Sequence, residues 1–320
     1  MIVNDLPWLR TQQAQLAAAF SRDRLTHALL IHEAPGTGGN VLAMWTAQLV
    51  LCGAAQEAPC GKCGPCRRVA SMQHPDLVRL EPIEDSRQIR IDQVRELSAE
   101  LSLTSHQGGY KVAIISPADA LNRAAANALL KTLEEPTPRT LLILVATQPS
   151  RLPATVLSRC QRIHVPTPAR DEAVAWLQSV RGPAEWGAAL EVLGDAPLFA
   201  AEAEPKIVAE FARDTRRVLE EMSAGRADPA ATADGWWRTD LPLRLLCIEN
   251  WLTDRVRRHF TGAPFSVEMS AGVHLQRGPQ IPSIRRLFGV IDAVQELKSS
   301  LDAPINRSLA LESLLRRLAA

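Results

Sequence analysis

Short apolar runs alternate with amphipathic segments along the first half of the chain. In TLLILVAT the hydrophobic residues occupy consecutive positions, which is typical of a strand buried on both faces of a parallel sheet. The segments between the runs space their apolar residues three or four positions apart, which predicts helices. This alternation indicates a doubly wound α/β domain. The predicted strands are HALLIHEA (27–34), PDLVRLEP (75–82), YKVAIISPA (110–118) and TLLILVAT (140–147), and the predicted helices lie at 41–52, 89–104 and 122–136.

Helical patterns take over past Pro166 and Pro168, where the strand signals largely stop. Two short helices, RDEAVAWLQSV and PAEWGAALEVLG, are followed by longer amphipathic ones. Loops rich in Gly, Ala, Asp and Pro separate the longer helices, as in SAGRADPAATADG (223–235) and at 261–282. The predicted domains are an α/β domain at 1–165, a small helical domain at 166–205 and an all-α domain at 206–320.

Composition narrows the class of protein. The formal net charge is +1 over 320 residues, so overall charge indicates neither a nucleic-acid nor an acidic partner. No apolar run approaches the ~18 residues of a membrane helix, and an N-terminus with an early Asp5 lacks a secretory signal. A cytoplasmic protein with no membrane partner is expected. The cysteines are then expected to bind metal or to pack in cores, as we interpret the isolated Cys160 and Cys247.

The stretch HEAPGTGGN occupies the strand–loop–helix position of a phosphate-binding P-loop, whose motif is G-x-x-x-x-G-K-[ST]. Gly38 supplies the sixth position, and Gly36 lies inside the loop. Glu33 replaces the first glycine, and Gly39 and Asn40 replace the lysine and the Ser/Thr. The lysine holds phosphates and the Ser/Thr holds Mg²⁺. The loop is therefore degenerate, and at most poor nucleotide binding is expected.

Four cysteines follow the P-loop helix in the pattern C-x7-C-x2-C-x2-C. Cys52, Cys60, Cys63 and Cys66 are spaced so that four thiolates can surround one Zn²⁺ in a closed, structural site. An iron–sulfur cluster is an alternative, although the C-P of the ferredoxin pattern is missing. Free loop cysteines are the other alternative. We predict a zinc module at 52–66.

Three stretches together resemble one protein family: NALLKTLEEP (Asn127–Pro136), LPATVLSRCQ (Leu152–Gln161) and the cysteine insert. They resemble subunits of the bacterial DNA polymerase III clamp loader, an AAA+ assembly. The resemblance covers residues 20–165 and, more weakly, LDAPINRSLALESLLRRL (301–318). It implies α/β plus all-α architecture: a RecA-like AAA+ parallel-sheet domain with a zinc insert, a small helical lid domain and a C-terminal helical collar domain for oligomerisation.

Motor subunits of this family carry an Asp-Glu pair at the end of the strand that here reads KVAIISPAD. Ser116 and Pro117 occupy those positions, so both acids are absent. Asp119 is expected to cap the following helix, and Thr147 to be a strand-end hydrogen bonder. Together with the altered loop, the resemblance implies a member of the family that does not hydrolyse ATP and has Zn²⁺ as its one cofactor.

The resemblance also implies what such a chain gives its neighbour. Arg159, flanked by Ser158 and Cys160 in the SRC triplet, corresponds to an arginine finger that acts in trans on the ATP of the adjacent subunit. The implied partners are the gamma/tau motor subunits and the delta subunit, and indirectly the sliding clamp and primer-template DNA, in a replisome at the nucleoid.

Two other functions remain open from the sequence. One is an AAA+ ATPase whose nucleotide site is atypical but active. The other is a zinc-dependent DNA-binding module, which would call for a clustered basic face. Lys131 lies three and four positions before Glu134 and Glu135, so it is expected to pair within its own helix.

Overall fold

Five parallel strands form one sheet in the computed structural model of the chain, which describes residues 5–54, 58–83, 86–261, 284–301 and 305–319. The strands lie in the spatial order β2-β3-β4-β1-β5, and every neighbouring pair is parallel. The strands are β1 (Ala28–His32), β2 (Leu77–Leu80), β3 (Lys111–Ile115), β4 (Thr140–Ala146) and β5 (Gln161–His164).

The predicted α/β fold class is confirmed, and one strand was missed. All residues of β3 and β4 are buried, as the apolar runs Val112–Ile115 and Leu141–Ala146 predicted; the polar Lys111 and Thr140 at the starts of the two strands are buried as well. In β5, by contrast, only Ile163 is buried, so this short edge strand has no periodic signal. Its pairing with β1 identifies it as a strand.

Fourteen α-helices precede, connect or follow the strands in the described residues. In the first half they connect successive strands, and from Arg170 onward the described part of the chain contains helices only. They are α1 (Arg10–Ser21), α2 (Gly39–Leu51), α3 (Gly64–Ala70), α4 (Ile91–Ser102), α5 (Arg123–Glu134), α6 (Ala154–Leu157), α7 (Arg170–Arg181), α8 (Trp186–Val192), α9 (Pro197–Glu202), α10 (Pro205–Ser223), α11 (Pro229–Trp236), α12 (Leu241–Thr261), α13 (Ile284–Ser299) and α14 (Arg307–Ala319).

The chain divides into two compact units. One contains the residues up to Val180 together with Ala196–Ala201, and the other contains Arg181–Asp195 together with the residues from Glu202 onward. The helix α9 thus lies mainly in the unit that holds the sheet. The three domains with boundaries at 165 and 205 stay a prediction.

Helix α11 corrects the loop predicted at 223–235. Asp228 caps its first turn by accepting hydrogen bonds from the amides of Ala230 and Ala231, and Pro229 at its first position suits a helix start. The cap and the burial of Trp236 outweigh the low helix propensity of this segment. The loop predicted at 261–282 lies outside the described residues, apart from Thr261.

Arg244 of α12 is a buried cation in the core of the helical unit, where it is 7% exposed. Its guanidinium lies 3.9 Å from the ring centroid of Phe211 and 4.6 Å from that of Trp236. It donates to Asp214 Oδ2 at 3.0 Å and to Thr215 Oγ1 at 2.6 Å. Arg244 therefore joins α10, α11 and α12 through polar and cation–π contacts.

No helix in the described residues is long and apolar enough to cross a membrane.

Arg244→Ala should lower the free energy of unfolding by roughly 2–4 kcal/mol, because it leaves a cavity between two rings and removes two hydrogen bonds. Arg217→Ala is the control, since Arg217 binds the same carboxylate from an exposed position at 2.9 Å and should change stability little. Urea denaturation followed by tryptophan fluorescence measures both. Equal changes in the free energy of unfolding for the two substitutions would contradict the conclusion that Arg244 stabilises the packing of α10, α11 and α12.

Candidate functional site

The loop that resembles a P-loop lies at the C-terminal end of β1 and leads into α2. Its backbone is left-handed at Gly36 and Gly38, with φ of 73° and 109°, a conformation that costs a residue with a Cβ atom. The Thr37 hydroxyl closes the turn by donating to the carbonyl of Ala34 at 2.7 Å. The loop therefore keeps the left-handed backbone conformation that glycine permits. It also keeps amides at the start of a helix that have no partner within the helix, and such amides suit an anion.

The anion that these amides bind is the side chain of Glu33. Its Oε2 accepts a hydrogen bond from the amide of Gly38 at 3.0 Å and from that of Gly39 at 2.6 Å. Burial raises the pKa of Glu33, while the hydrogen bonds from the amides of Gly39 and Gly38 act in the opposite direction. A Cβ atom at residue 39 would lie 2.6 Å from the Glu33 carboxyl carbon. The carboxylate thus fills the space that the loop encloses.

Apolar residues cover the loop from two other segments of the same unit. A Cβ atom at residue 38 would lie 2.4 Å from Leu6 Cδ1. The indole Nε1 of Trp8 donates to the carbonyl of Thr37 at 2.7 Å, and in α9 the amide of Leu198 donates to the carbonyl of Gly36 at 3.1 Å. The carbonyls of Gly36 and Thr37 and the amides of Gly38 and Gly39 therefore all have partners within the protein.

The region of the missing acidic pair lies at the end of β3. Ser116 is buried and Pro117 leads into a short 3₁₀ turn. Asp119, in that turn, accepts hydrogen bonds from Thr147 Oγ1 at 3.0 Å and from the amide of Gln148 at 3.1 Å. The expectation that Asp119 caps α5 was wrong, because Asn122 is that cap. Asp119 instead ties the end of β3 to the end of β4.

The structure brings the four cysteines of the insert together. Their sulfur atoms all lie within 4.8 Å of one another, with Cys52 Sγ 3.6 Å from Cys60 Sγ and 3.9 Å from Cys63 Sγ. A tetrahedral Zn²⁺ with bonds of about 2.3 Å needs sulfur atoms ~3.8 Å apart. None of the four is in a disulfide. The cluster that includes Cys66 thus has the size of a zinc site.

Backbone amides turn toward these sulfurs, as thiolates require. The amide of Cys60 donates to Cys52 Sγ at 3.5 Å, that of Cys63 to Cys60 Sγ at 3.4 Å, and that of Cys66 to Cys63 Sγ at 3.5 Å. The bond from the Cys66 amide lowers the pKa of the Cys63 thiol to about 6. Burial raises the pKa of Cys66, and a bound Zn²⁺ would favour the loss of its proton.

Arg159 follows α6 at the surface, between the buried residues Val156 and Cys160. Its Nη1 donates to the carbonyl of Thr155 at 2.9 Å and lies 3.3 Å from Ser158 Oγ. Its Nη2 lies 2.7 Å from Glu134 Oε1. The guanidinium is thus exposed but held by three contacts.

Sequence reasoning missed two carboxylates. Glu33 was identified only as the residue that replaces the first glycine of the P-loop motif. An acidic side chain at that position can compete with phosphate for the loop amides, and this was the signal available in the sequence. Glu134 was expected to pair with Lys131, whereas it pairs with Arg159. That contact joins residues far apart in sequence and has no local signal.

Comparison with known proteins extends over most of the chain. A family model described as "DNA polymerase III, delta subunit" matches residues 9–169. "DNA polymerase III subunit delta'" of Pseudomonas aeruginosa is 36% identical over 260 residues, 80% of this chain and 78% of that protein. Its namesake in Escherichia coli (strain K12) is 31% identical over 322 residues, 98% of this chain and 94% of that protein. "DNA polymerase III subunit tau" of the same organism is 34% identical over 151 residues, but these are only 47% of this chain and 23% of tau.

The cysteine geometry predicts one Zn²⁺ per chain, measured by elemental analysis of the purified protein. Cys60→Ser should lower the zinc content and expose the 52–66 segment to proteolysis, because three ligands hold the metal more weakly. Cys247→Ala is the control, since Cys247 lies buried in the helical unit and should leave the zinc content unchanged. A wild-type protein that lacks metal, or a Cys60 variant that keeps it fully, would contradict the assignment.

Glu33→Gln tests the cost of the buried charge, because a glutamine oxygen can accept the same two amide hydrogens without ionising. The pKa of Glu33 is raised above its ordinary value of 4.5. The folded chain therefore binds a proton that the unfolded chain has lost, and its stability falls as pH rises from 4.5 through the higher folded-state pKa. The variant lacks this fall, so its stability relative to the wild type should increase over that pH range in urea denaturation.

The exposed Glu135 gives the matched control for this pH series. Glu135→Gln removes the same charge from a residue that is exposed, and its stability difference from the wild type should change little with pH. A difference between Glu33→Gln and wild type that does not depend on pH would mean that the carboxylate carries no burial penalty.

Proposed function

This chain belongs to the DNA polymerase III delta-prime family, and we propose that within the clamp loader it is a subunit that does not hydrolyse ATP. Its role in replication is the loading of the sliding clamp. The finer proposal is that the chain activates ATP hydrolysis at the neighbouring subunit and leaves its own nucleotide site closed. The gamma/tau motor subunits and the delta subunit are its proposed partners, and the likeness to tau over 151 residues supports a shared AAA+ ancestry.

The filled loop supports the closed site. ATP would have to displace the Glu33 carboxylate from the amides of Gly38 and Gly39, and its own phosphates would meet that negative charge. Leu6 and Trp8 would also have to move away from the loop. Gly39 occupies the position of the P-loop lysine and cannot bind phosphate through a side chain. Ser116 and Pro117 supply no carboxylate for Mg²⁺.

The exposed guanidinium of Arg159 is the observation that carries the proposal of action in trans. The surrounding turn is fixed by buried residues on both sides, and the side chain is 36% exposed. An arginine presented to a transferring phosphoryl group stabilises the charge of the transition state, which is worth ~10³–10⁵ in rate. Ser158 supports the arginine through its hydroxyl, and Cys160 anchors the turn in the core.

The cysteine cluster has a structural part in this proposal. Four thiolates around Zn²⁺ leave no open coordination position for a substrate. The ion would close the 52–66 segment, and Gln48 of α2 already ties that segment to the sheet unit by donating to the carbonyl of Cys66 at 3.1 Å. The cytoplasmic location expected from the sequence stays a prediction.

The test measures ATP hydrolysis in the complex of this chain with its motor subunits, delta subunit, clamp and primed DNA. Arg159→Ala should slow the share of single-turnover hydrolysis that belongs to the neighbouring site by at least about tenfold, with assembly unchanged. Arg162→Ala, an exposed arginine three positions on, is the control and should have no effect. The isolated chain should show no turnover.

Two results would overturn the proposal separately. Turnover by the isolated chain would mean that the atypical loop is an active ATPase site. An unchanged rate with Arg159→Ala would mean that Arg159 is an ordinary surface residue held by Glu134.

A further inference from the structure

The guanidinium of Arg159 is held on one side only. Arginine has five N–H donors in a planar fork. Nη1 uses its two on the Thr155 carbonyl and the Ser158 hydroxyl, and Nη2 uses one on Glu134. Within the part of the chain that the structure describes, the second Nη2 hydrogen and the Nε hydrogen have no partner. The contacts to its own chain thus leave two donors for a phosphate.

Glu134 and Arg159 both lie on backbone segments whose positions are fixed by neighbouring buried residues. Glu134 is the last residue of α5, which buries Leu129 and Leu133 in the core. Arg159 is bounded by the buried Val156 and Cys160. The distance between the two side chains is therefore set by packing, although the ends of both chains are at the surface.

The ion pair itself contributes little to stability. The side chain of Glu134 is 50% exposed and that of Arg159 is 36% exposed, and pairs of that kind are worth ~0–1 kcal/mol. Lys131, which lies one turn earlier in α5 and is exposed, does not take up the carboxylate. What the pair changes is the orientation of a long side chain, which otherwise loses rotamer entropy when a ligand orders it.

We propose that Glu134 is a positioning residue for Arg159: its carboxylate fixes the guanidinium plane so that two N–H donors face the phosphates of the neighbouring subunit. The inference rests on the proposed role of Arg159 as an arginine finger. Glu134 touches neither the nucleotide nor the reacting atoms. Misplacement of a catalytic group by about 1 Å can cost ~10²-fold in rate, so a weak ion pair can have a large kinetic effect.

The experiment compares Glu134→Gln, Glu135→Gln, Arg159→Ala and the Glu134/Arg159 double variant in the assembled clamp loader with clamp and primed DNA. Glu135 is the next residue, carries the same charge and has no side-chain ion pair among the described residues. Glu134→Gln should lower the rate constant at the neighbouring site about fivefold to tenfold and change the KM for ATP less than about twofold, because the contact matters only in the transition state. Glu135→Gln should leave both unchanged.

The double variant separates positioning from a general structural effect. On the Arg159→Ala background, Glu134→Gln should have no further effect, because the group that it orients is gone. Glu134→Asp, which keeps the charge, should recover part of the rate. Melting temperature and assembly should be the same for all variants.

Each other outcome overturns the inference at an identifiable step. If Arg159→Ala slows hydrolysis and Glu134→Gln does not, the finger stands and the positioning role fails. If Glu134→Gln slows hydrolysis equally with and without Arg159, its effect does not pass through the arginine. If Arg159→Ala has no effect, the proposed function fails, and the role of Glu134 fails with it.

Discussion

The amides at the start of a buried helix must find an acceptor, and at the start of α2 the carboxylate of Glu33 is that acceptor. In a nucleotide-binding loop the phosphates accept hydrogen bonds from these amides, so the amides are exposed to solvent when no nucleotide is bound. Here the need is met from within the chain, and the apolar residues Leu6 and Trp8 can pack directly over the loop. Side chains of the same chain therefore fill the loop at the C-terminal end of β1.

The sequence predicted those features that depend on local pattern. Runs such as TLLILVAT specify buried central strands because the positions from Leu141 to Ala146 are all apolar, and the structure buries every residue of β4. The close cysteine spacing specified a cluster because C-x-x-C turns bring sulfurs together whatever the surrounding fold. The edge strand β5 and the helix α11 escaped prediction, since a tertiary pairing defines the first and an Asp228 cap with a buried Trp236 defines the second.

The geometry of the site depends on contacts that no local pattern encodes. The pairing of Glu134 with Arg159 requires α5 and α6 to pack together, and the role of Asp119 requires β3 and β4 to end side by side. Helix periodicity offered Lys131 as the nearer partner for Glu134, and proximity in the fold prevailed. Sequence reasoning thus identified Arg159 as the residue of interest but not the groups that orient it.

A subunit that activates its neighbour benefits from a backbone that does not respond to nucleotide. In this chain β1 pairs with β4 and β5, and Arg159 lies just after the short helix α6, between those two strands in sequence. If a ligand bound to the loop after β1 and changed its conformation, the change could shift β4 and β5, the strands on either side of Arg159 in sequence. If Glu33 keeps the loop filled, as proposed, the position of Arg159 depends on core packing and on Glu134, and a neighbouring subunit would meet the same guanidinium in every nucleotide state.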